Sequence, residues 1–127
     1  MMGSSKTRYD LEDRTIAFAL KVRKLLQDEK LPRVCWSDAD QILRSSGSVG
    51  ANYIEANDAL SSVDKIYRIK ISRKEAKESR YWAELLSNTL PHHLQSAMSE
   101  IQDEAEQLMK IFGTILKKLD PKWTPEQ

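Results

Sequence analysis

The chain has 127 residues, of which 40% are hydrophobic and 31% charged, and its formal charge is +1. That length buries one core and is too short for two, and the near-neutral balance argues against a global electrostatic footprint for nucleic acid or an anionic membrane, so any basic site must be local. Only 4 Gly and 4 Pro leave too few turn residues for a strand-rich fold, and the single Cys35 excludes an intramolecular disulfide or a cysteine-based zinc site and reads as a small hydrophobe in a reducing, cytoplasmic compartment.

Residues 1–7 lack an apolar signal-like core and are expected to be a disordered leader. A first helix is predicted from Arg8 to Asp28, where Leu11, Thr15, Phe18, Val22 and Leu25 recur three and four apart and Ile16, Ala19 and Leu26 widen the stripe. Leu31-Pro32 ends it. The second helix is predicted from a Ser37 cap, with Asp38 and Asp40 at the positive end of its dipole, to about Leu60. The third follows from the Ser61-Ser62 cap to Asn88 or Leu90, stopped by a Pro91-His92-His93 loop. The fourth runs from Ser96 to Leu119, with Met98, Ile101, Ala105, Leu108, Phe112, Ile115 and Leu119 as a heptad seam, and leaves 121–127 as a C-terminal tail. Short connections between long helices make neighbours antiparallel, so the expected fold is all-α, an up-and-down antiparallel four-helix bundle over residues 8–120. No stretch approaches the roughly 18 apolar residues of a membrane span, and no membrane partner is expected.

Two regions carry information beyond the fold. Helix two contains Arg44-Ser45-Ser46-Gly47-Ser48-Val49-Gly50-Ala51-Asn52, although each mid-helix Gly costs about 1 kcal/mol relative to Ala. The small side chains predict close approach of a neighbouring element; a phosphate-cradling loop is the alternative, but no strand precedes the stretch and its spacing is neither of the known glycine loops. On helix three, Tyr67, Ile69, Ile71, Ala76, Trp82, Ala83, Leu85 and Leu86 cover an arc of roughly 200°, against roughly 100° for an ordinary surface helix. One bundle core cannot cover that arc. Lys70, Arg73, Lys74, Lys77 and Arg80 occupy most of the remaining face, as a candidate nucleic-acid contact or simply a solvated face.

Arg68, Glu75 and Glu78 fall inside the apolar arc, where charges need partners. Arg44, Asn52 and Glu55 on helix two supply complementary groups, which predicts a buried polar network; exposed acids facing water are the alternative. Helical di-metal bundles need Glu-x-x-His motifs, and neither His92 nor His93 has a Glu three residues before it. Ser45 and Ser48 have no evident base. No catalytic, metal or cofactor-binding residue is therefore assigned, and no cofactor is expected. Trp82 reads as interface or core.

Asp10-Leu11-Glu12-Asp13-Arg14-Thr15, the stretch Gln41 to Ala56, Ile69-Lys70-Ile71, and Lys74-Glu75-Ala76-Lys77-Glu78-Ser79-Arg80-Tyr81-Trp82-Ala83 together resemble the bacterial four-helix-bundle family encoded in intervening sequences of 23S ribosomal RNA genes. The similarity covers about residues 9 to 119. It implies a bundle that associates into a ring-like homopentamer, which would account for the wide arc on helix three, and it brings no catalytic residues. Arg44, Ser48, Asn52, Glu55, Lys70, Glu75 and Glu78 then stand as structural or interface positions. A related branch, the accessory protein of diversity-generating retroelements, resembles the chain in fold and binds a reverse transcriptase and nucleic acid through a strongly basic surface; here Glu100, Asp103, Glu104 and Glu106 dilute any such surface. The expected function is a non-enzymatic, self-assembling scaffold or adaptor, with itself and possible protein partners as ligands; the alternative is an RNA- or DNA-binding accessory protein.

Overall fold

The structure, a computed structural model, describes residues 3–125, with side chains described from Asp10 onward. Four helices follow one another: α1 (Gly3–Leu26), α2 (Trp36–Asn57), α3 (Ser62–Thr89) and α4 (His92–Leu119), with a 3-10 turn at Arg33–Cys35 before α2. Paired residues run in opposite directions along each neighbouring pair. Ser72 meets Val49 where Ser79 meets Ser45, and Arg73 lies near Gly113 where Arg80 meets Glu106. Thr15 faces Gly50 where Arg23 reaches Leu43. The helices therefore form the expected antiparallel up-and-down bundle, in which α3 packs between α2 and α4 and lies diagonal to α1.

The boundaries differ from the sequence reading in ways that local chemistry explains. Helix α1 begins at Gly3, so the expected disordered leader is helical from that residue; no proline interrupts it, and extending a formed helix adds a hydrogen bond per residue. Met1 and Met2 lie outside the described residues. At the other end, Asp28 takes a left-handed conformation (φ 61) and closes the helix two residues early, a role that Asp tolerates better than most residues. Ser37 is not the cap of α2. The amide of Cys35 bonds back to the carbonyl of Pro32 at 2.9 Å, and this tight turn leads directly into the helix with no side-chain cap. Ser61 does cap α3, its hydroxyl accepting from the Asp64 amide at 3.1 Å.

Helix α4 starts at His92, not Ser96, so His92 and His93 sit in its first turn and not in a loop. Pro91 precedes them with an extended Leu90, and its missing N–H would be unsatisfied at a helix start in any case. The heptad seam holds from Met98 through Phe112, all buried, and then drifts: Leu116 is buried where Ile115 was expected, and Leu119 is exposed. A straight helix slips by roughly 20° per heptad, so a step of four replaces a step of three. On α1, Phe18 and Val22 enter the core as expected, but Ile16 points outward.

Phe18, Ile42, Val49, Ile69, Leu86, Leu108 and Phe112 centre the core, with Tyr53 and Phe112 in ring contact at 5.6 Å. The expected tail contributes too. Trp123 is only 4% exposed and belongs to the core cluster, so the bundle extends past residue 120 because a folded-back indole covers the end of the α3–α4 groove.

Candidate functional site

Small residues bring the helices close enough to set the geometry of α3. A Cβ on Gly50 would stand 2.6 Å from Thr15 Oγ1 and 3.0 Å from Thr15 Cβ, so this glycine is required by the contact of α1 with α2. A Cβ on Gly47 would meet the Arg23 guanidinium at 3.0 Å, which donates to the Ala19 and Leu43 carbonyls and to Ser46 Oγ. Across α2 and α3, Ser45 and Ser79 share a buried hydroxyl bond of 2.7 Å, and Ser72 Oγ donates to the Val49 carbonyl at 2.9 Å. Short polar side chains that satisfy one another at a helix contact leave room for close approach without an orphaned hydroxyl.

Along the outer edge of that contact runs the polar seam. Arg44 bonds Glu75 at 3.2 Å and Glu78 at 2.7 Å, and Trp82 Nε1 donates to Glu78 at 3.4 Å. One step further along, Arg68 donates to Asn52 Oδ1 at 3.1 Å, and Asn52 in turn donates to Ser48 Oγ at 3.1 Å. The seam is graded in depth: Glu75 is buried, Glu78 is half-buried and Arg44 is exposed, so the network closes the rim of the α2–α3 contact instead of lying inside it. Hydrogen bonding to Glu75, reinforced by the charges of Glu75 and Glu78 against an opposing desolvation, raises the Arg44 guanidinium above its ordinary value. Glu55, expected in the same network, is exposed and joins neither cluster.

The outward face of α3 is left exposed among the described residues. Leu60 is 102% exposed in the preceding turn, and Val63, Tyr67 and Tyr81 are 80%, 58% and 54% exposed along the helix. Half-buried Ile71, Trp82 and Leu85 border them, and Tyr81 and Trp82 stack edge to face at 4.9 Å. Of the wide apolar arc, then, Ile69, Ala76, Ala83 and Leu86 fill the bundle core and Tyr67, Ile71, Trp82 and Leu85 lie outside it, while exposed Val63 and Tyr81 fall in the helical sector of Lys70 and Lys74.

The basic stripe divides. Arg80 pairs with Glu106 at 3.5 Å, and Lys110 reaches the same carboxylate at 3.2 Å. Hydrogen bonding from Lys110, then its charge and that of Arg80, hold the Glu106 carboxyl below its ordinary value of 4.5. Lys70, Arg73, Lys74 and Lys77 instead line one wall of a cleft of about 430 Å³, with Leu116, Trp123 and Pro125 opposite. The Arg73 guanidinium lies 5.0 Å from the centre of the Trp123 ring. Lys117 donates to the carbonyls of Pro121 at 2.8 Å and Trp123 at 3.2 Å, fixing the chain as it turns back. Sequence reasoning passed over Trp123. Its signal is one indole four residues past the last helix, which nothing in the periodicity could place.

Among the described residues no cluster of three metal-ligating side chains occurs and no helix is long and apolar enough to cross a membrane. His93 reaches Glu29 at 3.4 Å across the end of the bundle, and His92 and His93 are both exposed. Cys35 is buried with its thiol against the Thr89 carbonyl at 3.4 Å.

A family model described as 23S rRNA-intervening sequence protein matches residues 9–114. Among solved structures, the chain is similar to a protein of unknown function from the S23 ribosomal protein family of Bacteroides thetaiotaomicron, with 32% identity, a TM-score of 0.70, and coverage of 84% of this chain and 97% of that one. No curated protein matches.

Proposed function

The chain belongs to the 23S rRNA-intervening sequence protein family, and from that premise we propose that it works without catalysis, as a self-assembling helical scaffold whose copies meet through the outward face of α3. The observation that carries this reading is the run of Leu60, Val63, Tyr67 and Tyr81, large side chains left more than half exposed on one side of a bundle whose own core is complete. Several large exposed apolar side chains on one helix, here with Lys70 and Lys74 between Tyr67 and Tyr81, are the kind of surface that interaction sites use. Aromatic residues are also the side chains that interface centres favour. The polar seam flanks that face and holds α3 in register with α2, which gives the self-association surface a fixed shape. A ring of five, as the resemblance implies, would have a mass of about 73 kDa from 14.6 kDa subunits.

The test is absolute mass by light scattering at micromolar protein, for the wild type and for Val63→Glu combined with Tyr67→Glu. Both positions are exposed, so the variant should keep its helical circular dichroism while dissociating toward 14.6 kDa. A wild-type monomer would refute the proposal. Nucleic-acid binding through helix three is the second reading, favoured by the four cations that share one cleft and weakened because Arg80 is occupied by Glu106.

A further inference from the structure

The same four cations pose a question that self-assembly does not answer. Lys70, Arg73, Lys74 and Lys77 sit at spacings of three and four, so each has like-charged neighbours one turn away, an arrangement that weakens a helix. Among the described residues, no acidic side chain lines the cleft they face. Arg73 is held against the Trp123 ring, and Lys117 holds the backbone that carries Trp123, so the wall opposite the lysines is built. A second cleft of about 520 Å³ lies beside the first, and Arg73 and Trp123 line both. Both volumes suit a small ligand. Trp123 lies beyond residues 9–114, so this wall comes from a part of the chain outside the family match.

We propose that the cleft between α3 and the C-terminal segment binds a short oligophosphate, a run of two or three linked phosphates of the kind a nucleoside triphosphate or a triphosphorylated RNA end carries. Lys70 and Lys77 stand seven positions apart, about 10 Å along the helix, which matches a short run of phosphates better than a polymer. Toward the other end of α3 the path of a longer polyanion meets Glu106, already paired with Arg80 and Lys110, and then exposed Asp103. Lys70, Lys74 and Lys77 supply mobile point charges, and Arg73, aligned by the indole, supplies a planar fork of donors suited to phosphate oxygens. The cleft is closed on its far side by Leu116, Trp123 and Pro125, while Lys70 and Lys74 lie in the same helical sector as Val63 and Tyr81, so phosphate binding and self-assembly share an edge of α3.

Isothermal titration of the full chain with inorganic tripolyphosphate, in a phosphate-free buffer at 50 mM salt, tests it. One saturable site per chain is expected, with affinity falling at least tenfold in Lys74→Gln combined with Lys77→Gln and at least threefold in Trp123→Leu, while helical circular dichroism is kept. Adenosine triphosphate and an RNA bearing a 5′-triphosphate, tested against the same RNA with a 5′-hydroxyl, identify whether the phosphates are free or carried on RNA; preference for either supports the site. Absence of saturation at millimolar tripolyphosphate, or equal affinity in the lysine variant, overturns it. So does tighter binding of the 5′-hydroxyl RNA than of tripolyphosphate, which would make the surface an extended polyanion track. Light scattering on the same samples separates this outcome from failure of self-assembly.

Discussion

Replacing Gly50 by alanine opposes two effects whose sizes can be compared. In an exposed helix the change would stabilise by about 1 kcal/mol through backbone entropy. Here the new methyl would stand 2.6 Å from Thr15 Oγ1 and 3.0 Å from Thr15 Cβ. The hydroxyl can rotate away only by giving up its 2.7 Å bond to the Glu12 carbonyl, a loss of about 1 kcal/mol. The Cβ cannot rotate at all, so α1 must move outward, and overpacking of that kind costs about 1–3 kcal/mol. The balance is a net destabilisation of about 1–3 kcal/mol. Gly113→Ala is the control, because its methyl would meet only Trp123 and Arg73 atoms at 3.6 Å or more and should stabilise by about 0.5–1 kcal/mol. Gly47→Ala falls between the two, near zero, since the atom in the way is the end of a flexible Arg23 side chain. Urea unfolding at one fixed protomer concentration reads the series; a loss of about 1.5 kcal/mol corresponds to a midpoint about 0.5–1.5 M lower. If Gly50→Ala stabilised the protein as much as Gly113→Ala, the argument from close approach would fail.

Three further outcomes follow from the contacts. Ser45→Ala and Ser79→Ala should each cost about 1–2 kcal/mol by stranding the other hydroxyl, while the double variant should cost clearly less than their sum in the same urea assay; strict additivity would mean that the 2.7 Å bond contributes nothing. Arg44→Ala leaves the buried Glu75 without its guanidinium and should cost about 1–2 kcal/mol, whereas Glu55→Ala should be silent because that side chain is exposed outside the seam. The Glu106 carboxyl, lowered from 4.5 chiefly by its hydrogen bond from Lys110, contributes stability that is fully present above its unfolded value and is lost as pH falls through its lower folded value. Its carboxyl carbon, followed by nuclear magnetic resonance, should titrate below 4.5 in the wild type and move back up in Lys110→Ala.

The length of apolar runs, their helical period and the positions of Pro32, Ser61, Pro91 and Pro121 were enough to determine the fold, because each of these acts within one helix or at its ends. The charged positions on helices two and three were legible for a related reason: residues inside an apolar arc need partners, and complementary groups recur at helical spacing on both helices, Arg44 and Asn52 on one and Arg68, Glu75 and Glu78 on the other. Their depth was not legible. Periodicity places Glu75 and Glu55 on faces, but whether a face is covered depends on how closely the partner helix approaches, and that distance is set by Gly50 against Thr15 and by Ser45 against Ser79.

The basic stripe shows the same division. Five cations on one face of α3 follow from spacing alone. That Arg80 is neutralised by Glu106 while Arg73 is aligned by Trp123 depends on α4 and on the chain beyond it, contacts between residues 26 and 50 positions apart in sequence. A helix's period is a local property of the backbone, so the amino-acid sequence determines it directly. The partner of an exposed side chain depends on the rotation and offset of two packed cylinders, which only the completed bundle decides.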